Sequence, residues 1–163
     1  MGLKKELLSL GIPERGNFTL TTGIVSNLYF NMKKAYGSPN ILNKLSEELY
    51  RLLGKDITCI GCLSGIGGLP LASVISAKYN LPLTLVRESK KGHGSKNQIE
   101  GYIPNKSDRI AIIDDVFTTG FSLMKVINIL EPITNIEGCY VIIKRTDNIF
   151  NYRLRHLFIE KDF

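Results

Sequence analysis

With 163 residues, 44% of them hydrophobic and 22% charged, the chain has the material for one well-buried core and is neither disordered nor fibrous in composition. Its longest apolar runs, such as Ile110 to Ile113 and Val141 to Ile143, are strand-sized, far short of the ~20 residues of a membrane-spanning helix. The net charge of +6 favours an anionic partner: nucleic acid, an acidic membrane surface or a small polyphosphate.

The stretch Met1 to Leu10 interleaves Lys4, Lys5 and Glu6 with leucines at helical spacing, which predicts a short amphipathic helix over about 2–10, broken at Gly11-Ile12-Pro13. A secretory signal needs an uninterrupted apolar stretch and a small-residue cleavage site, so a cytoplasmic protein is expected. Thr19-Leu20-Thr21-Thr22, Gly23 and an aromatic strand around Tyr29 and Phe30 predict a hairpin. Apolar residues at 41, 42, 45, 49, 52 and 53 predict a helix over about 40–53, ended by Gly54. Ile57 to Leu63 reads as a buried strand, Gly65 to Gly68 as a turn, Leu69 to Tyr79 as a helix and Leu83 to Val86 as a strand. Arg87 to Asn105 is a long polar segment. A strand over Ile110 to Ile113, a helix over Thr119 to Leu130 that stops before Pro132, a strand over Cys139 to Ile143 and a last strand over Leu157 to Ile159 complete the chain.

Apolar strands alternating with helices predict an α/β fold: a Rossmann-like parallel sheet with helices on both faces. No repeat or linker composition interrupts it, so a single domain over 1–163 is expected. Ligands of such sheets bind beyond the carboxyl ends of the strands, here the turns after Leu63, Val86, Ile113 and Ile143. Cys59 and Cys62 form a C-x-x-C, but Cys139, His93 and His156 stand singly, without zinc-ligand spacing. The pair also falls in a buried strand rather than at the helix start a redox pair occupies, so buried thiols are expected.

The most informative segment runs from Ile112 to Ser122: Ile-Ile-Asp-Asp-Val-Phe-Thr-Thr-Gly-Phe-Ser. A buried strand ends in two carboxylates, then hydroxyls and a glycine precede a helix. Unpaired N–H groups and the dipole of a helix N-terminus attract a phosphate, Thr118, Thr119 and Ser122 can add hydroxyls, and Gly120 allows close backbone approach. Asp114 and Asp115 would repel that phosphate, so they serve another part of the ligand. Vicinal ribose hydroxyls donate well to carboxylates, and a sugar carbon developing positive charge is stabilised by them. A sugar phosphate fits both halves of the segment; the plainer alternative is a helix start capped by Thr118 or Thr119. The segment closely resembles the phosphoribosyl-diphosphate motif of type I phosphoribosyltransferases. That resemblance implies that Asp114 and Asp115 hold ribose hydroxyls, and that Val116, Phe117, Thr118, Thr119, Gly120, Phe121 and Ser122 form the 5′-phosphate loop.

Arg87-Glu88-Ser89-Lys90-Lys91-Gly92-His93-Gly94-Ser95-Lys96 is too glycine-rich for a stable helix, and its cations suit a leaving diphosphate. By composition alone a solvated basic loop reads as well. Arg87, Lys91, His93 and Gly94 match the basic loop of orotate phosphoribosyltransferases, and Ile99-Glu100-Gly101 resembles the turn that follows it. The match implies diphosphate contacts by Arg87, Lys90, Lys91 and His93, with Lys91 and His93 catalytic beside Asp114 and Asp115. It also implies a homodimer in which a mobile loop over about 87–105 completes the neighbour's site.

Ser64-Gly65-Ile66-Gly67-Gly68-Leu69-Pro70-Leu71-Ala72 resembles the family's glycine turn. A dinucleotide-binding reading fails on Pro70, which stands where the third glycine belongs, and a Walker loop fails for want of Gly-Lys-Ser/Thr. Phe18 to Asn31 resembles the N-terminal signature of the orotate enzymes, within a small N-terminal hood over about 1–35. The match implies that Tyr29 and Phe30 wall the base, with Thr118 and Arg145 also at the orotate. The chain carries Thr21, Gly67 and Glu88 where the family often has lysine, and Lys144 where it often has aspartate. The resemblance implies transfer of the phosphoribosyl group from 5-phosphoribosyl 1-diphosphate to orotate, with Mg2+ carried by the diphosphate and no nucleic acid or membrane partner. A phosphoribosyltransferase for another base and a non-catalytic nucleotide-sensing regulator are the alternatives.

Overall fold

The computed structural model describes residues 2–19, 23, 25–88 and 98–163. In chain order the elements are α1 (Leu3–Ser9), β1 (Glu14–Thr19), β2 (Val25–Tyr29), α2 (Lys33–Tyr36), α3 (Pro39–Leu52), β3 (Cys59–Leu63), α4 (Leu69–Tyr79), β4 (Leu83–Val86), β5 (Ile99–Gly101), β6 (Arg109–Phe117), α5 (Phe121–Leu130), β7 (Asn135–Lys144) and β8 (Leu154–Ile159).

Six strands form one sheet in the order β5-β4-β3-β6-β7-β8. All neighbours run parallel except β5, which returns antiparallel on β4 with Leu85 opposite Glu100. Strand alternation divides the core. Ala111 and Ile113 point with Ile60, Cys62, Tyr140 and Ile142 toward α3 and α4. Ile110 and Ile112 point with Cys59, Cys139 and Val141 toward Leu123, Val126, Ile127 and Leu130 of α5. The helices thus cover both faces, as the apolar strands require. In α3 the buried stripe is Ile41, Leu45 and Leu49, four residues apart, behind a proline in the first turn whose missing N–H costs nothing there. α4 stops at Asn80, whose left-handed backbone (φ 53°) closes the helix. Among the described residues no helix is long and apolar enough to cross a membrane.

β1 and β2 form the expected hairpin as a separate two-stranded sheet, with the Phe18 and Tyr29 rings 5.4 Å apart. Several elements depart from the sequence reading; β7 starts at Asn135 rather than Cys139, and β8 at Leu154 rather than Leu157. β6 does not stop at Ile113; pairing with β7 carries it on, with Asp114 opposite Val141 and Phe117 opposite Lys144. That partner strand overrides the poor strand preference of aspartate. β5 lies inside the polar segment 87–105, because Ile99 reaches the α5-side core. The four-residue α2 was not anticipated; Ala35, fully buried, anchors it.

At the amino-terminal end of β6 the buried Asp108 ties three segments together. Its carboxylate accepts from Thr58 Oγ1 at 2.8 Å, Tyr102 O–H at 3.0 Å and Asn105 N–H at 2.9 Å. The Asn105 amide is the largest cause holding its carboxyl below the usual range, with Thr58 and Tyr102 adding to it against burial. A depressed folded-state pKa means that the stabilisation is complete above the unfolded value of about 4 and is lost as pH falls through the folded value. Asp108→Ala is expected to cost about 3 kcal/mol, roughly 6–12 °C in Tm, and Asp108→Asn to flatten the loss of stability below about pH 4. Thermal unfolding from pH 3 to 7 measures both.

Candidate active site

A cavity of about 370 Å³ opens where the carboxyl ends of β3, β6 and β7 meet the hairpin. Its wall includes Tyr29 and Phe30 from the hairpin side, Gly65, Gly67 and Gly68 from the turn after β3, the unbroken run Asp114, Asp115, Val116, Phe117, Thr118, Thr119, Gly120, Phe121 and Ser122, and Arg145 after β7. These are residues from four separate parts of the sequence, and the fold brings them to one site.

The floor is the acid pair. Asp114 Oδ1 accepts the N–H of Asp115 at 2.9 Å and Asp115 Oδ1 accepts the N–H of Val116 at 2.8 Å, so each carboxylate folds back on the next amide. Burial is the largest cause pushing both carboxyls above the usual range, and the Asp115 charge raises Asp114 further. The charge of Lys33 pulls Asp115 the other way and does not outweigh burial. The glycine turn lies directly on this pair. A Cβ on Gly67 would stand 2.8 Å from Asp114 Oδ1 and 3.1 Å from Asp115 Oδ1, and one on Gly68 would meet Ile113 O at 2.2 Å. Only a turn without side chains packs this close to two carboxylates. Tyr36, on α2, donates its hydroxyl to Gly67 O at 2.8 Å and pins the turn; burial, then Asp115 and Asp114, hold its phenol above the usual range.

The opposite wall is the start of α5. Gly120 takes φ 79°, and a Cβ there would strike Phe117 at 2.9 Å and Phe150 at 3.2 Å. No side chain caps α5, so the capped-helix alternative for Thr118 and Thr119 is not what forms. The leading amides of α5 therefore remain available to an anion. The loop itself is fixed from behind: Thr146 Oγ1 donates to Thr118 O at 2.7 Å and Arg145 N–H to Phe117 O at 2.9 Å.

Arg145 lines the cavity with its guanidinium carbon 5.3 Å from the Phe30 ring centroid. Lys33, at the start of α2, is a cavity-lining cation that the motif reading passed over. Its signal was the Lys33-Lys34 pair directly after the aromatic strand, of which Lys34 is taken by Glu14 at 2.9 Å. Arg87 does not join the site. Its Nη1 donates to Glu100 Oε1 at 2.6 Å across the paired ends of β4 and β5, at the neck of the basic loop. Glu88 turns to α5, where it accepts from Lys125 Nζ at 3.0 Å. Lys90, Lys91 and His93, and with them Thr21, lie outside the described residues.

Residues 32–147 match the phosphoribosyl transferase domain family. The orotate phosphoribosyltransferase of Methanothermobacter thermautotrophicus is 32% identical over 150 residues, covering 89% of this chain and 82% of that one. The enzyme of that name from Pyrococcus horikoshii is 34% identical over 155 residues, covering 90% and 82%. The chain belongs to the orotate phosphoribosyltransferase family. A crystal structure of orotate phosphoribosyltransferase from Aeropyrum pernix superposes with a TM-score of 0.83 at 29% identity, over 99% of this chain and 95% of that one.

The raised carboxyl pKa values fix the direction of a stability–pH relation. The folded chain binds protons at the acid pair that the unfolded chain has released, so stability without ligand falls as pH rises from the unfolded value, about 4, through the raised folded values. The slope approaches about 1.4 kcal/mol per pH unit for each proton involved. Asp114→Asn keeps an oxygen for the Asp115 amide and removes the opposed charge. It is expected to raise Tm near pH 8 and to flatten this slope, measured by thermal unfolding from pH 5 to 8.

Proposed function

We infer that the chain transfers the phosphoribosyl group of 5-phosphoribosyl 1-diphosphate to N1 of orotate, releasing diphosphate and forming orotidine 5′-monophosphate. The observation that carries the reading is the Asp114–Asp115 pair, the first buried and the second half-buried, facing the uncapped start of α5 across one cavity. In this reading the 5′-phosphate sits on the amides and hydroxyls of Thr118 to Ser122, and the acid pair accepts the ribose hydroxyls. The N1–C1′ bond forms as the bond from C1′ to the diphosphate oxygen breaks, and the electron pair leaves with the diphosphate.

Orotate can lose its N1 proton near neutral pH, so no strong protein base is required. The burden falls on positioning and on charge. As C1′ becomes cationic, carboxylates already held near the ribose stabilise it without reorganising, and the low polarity of the buried pair strengthens the effect. Tyr29 and Phe30 wall the base, and Arg145 meets its anionic edge. Lys33, on the same wall, offsets negative charge brought in by the sugar diphosphate. Magnesium would be carried by the diphosphate, without a direct protein ligand, and would supply charge neutralisation there.

The basic loop is the second half of the proposal. The ends of the segment 87–105 are tied by β4–β5 pairing and by the Arg87–Glu100 ion pair, which supports the reading of a loop projecting from a fixed neck. Lys90, Lys91 and His93 on that loop meet the diphosphate, in the neighbouring subunit of a homodimer, with Arg87 setting the neck.

Steady-state diphosphate release, with orotate, uracil and purine bases offered in turn, tests the acceptor; turnover with a purine and none with orotate would sink the assignment. Removing one well-placed charge from such a site costs about 3 kcal/mol, so Asp115→Asn and Lys91→Ala are each expected to lower turnover on the order of 100-fold with the fold intact by circular dichroism. Lys33→Ala is expected to raise the KM for phosphoribosyl diphosphate about tenfold.

A further inference from the structure

Arg145 lines the cavity, yet its hydrogen bonds are made behind it. Nε donates to Glu160 Oε2 at 2.6 Å and Nη2 donates to Ser26 Oγ at 2.9 Å. The hairpin, the end of β7 and the 3₁₀ turn Glu160–Asp162 after β8 thus meet on one side chain, which is 7% exposed. Each partner is itself fixed. Ser26 Oγ accepts the N–H of Leu28 at 3.1 Å and donates to Leu28 O at 2.9 Å. The turn carrying Glu160 is closed by the Ile159 N–H on Asp162 Oδ2 at 2.7 Å. Beside it Phe163 packs edge-on against Phe30 at 5.5 Å and against Phe158 at 5.6 Å. Glu160 does not line the cavity, so anything it does for a ligand it does through Arg145.

A guanidinium is a rigid planar fork of five N–H donors. Glu160 and Ser26 occupy the Nε side of this fork, which leaves the Nη1 end for a ligand. We propose that Glu160 is the positioning residue of the acceptor-base site: it fixes Arg145 so that the Nη1 end of the fork, rather than its Nε side, meets the anionic edge of the base. This deepens the function proposed above and rests on it. Two consequences oppose each other when the carboxylate is removed. A guanidinium acting as a point charge would gain attraction for an anion once its neutralising partner is gone. A guanidinium acting by direction would lose its aim, and a misplaced contact weakens binding of the group it was aimed at.

Steady-state kinetics of Glu160→Gln and Glu160→Ala, with each substrate varied in turn, separate these. The expected result is a rise of about tenfold in the KM for orotate, with the KM for phosphoribosyl diphosphate within about twofold of wild type and partial recovery in Glu160→Asp. An unchanged or lowered KM for orotate, or equal rises for both substrates, overturns the proposal. The second measurement needs no turnover: the Arg145 side-chain Nε–H resonance in 15N-labelled protein, assigned by its loss in Arg145→Lys. It should be protected from solvent exchange in the wild type and lost from Glu160→Ala, which has no acceptor for it; if it persists there, Glu160 does not hold the arginine. Failure of the wild type to use orotate would instead remove the acceptor assignment, and the resonance would still decide the role of Glu160.

Discussion

Two adjacent carboxylates at the end of a strand, one buried and one half-buried, oppose each other's ionisation. Asp114 and Asp115 are in that position, and the surrounding sequence is arranged to tolerate it. Each takes a backbone amide from the next residue, Lys33 lends Asp115 an opposite charge, and Gly67 and Gly68 bring a turn against them that no side chain could join. The chain keeps a destabilising pair where the sheet could have carried two more apolar residues. In the proposed reaction the cost of such a pair is offset by the ligand, whose sugar hydroxyls would donate to both carboxylates.

The same constraint explains which parts of the structure were legible beforehand. The acid pair, the hydroxyls and Gly120 are contiguous, so one stretch of sequence carried both walls of the cavity and its chemistry. The core strands were legible because Ile110 to Ile113 and Val141 to Ile143 are apolar on both faces. The length of β6 was not, because what extends it past Asp114 is pairing with β7, a contact between residues about 27 apart that no local pattern records. The short α2 was hidden for a similar reason. Lys33, Ala35 and Tyr36 acquire meaning only when the hairpin folds over the sheet and places Tyr36 on the Gly67 carbonyl.

The departures from the family pattern read differently once their surroundings are known. Glu88, one of the positions at which the motif resemblance breaks, faces Lys125, whose Nζ also lies 4.5 Å from the Phe121 ring centroid. The charge is spent at the base of the loop and not on the cavity. An exposed pair of this kind contributes little to stability, on the order of 0–1 kcal/mol. Gly67 follows the same logic. A lysine stem at that position would begin inside van der Waals distance of Asp114, and the turn would have to move away from the acid pair to admit it.

Around the cavity, charge is placed unevenly. The cavity has an acidic floor, a wall of helix amides, and two cations, Lys33 and Arg145, on the hairpin side. Of these Arg145 is already neutralised by Glu160, so it adds direction more than charge. A sugar diphosphate carries several negative charges, and one exposed lysine with one helix N-terminus does not balance them. In the proposed reaction the rest of the balance would come from the densest basic run in the chain, Lys90, Lys91 and Lys96, which lies outside the described residues. On that proposal the basic run would be worth most to the reaction as the bond to the sugar breaks, when the leaving diphosphate gains charge.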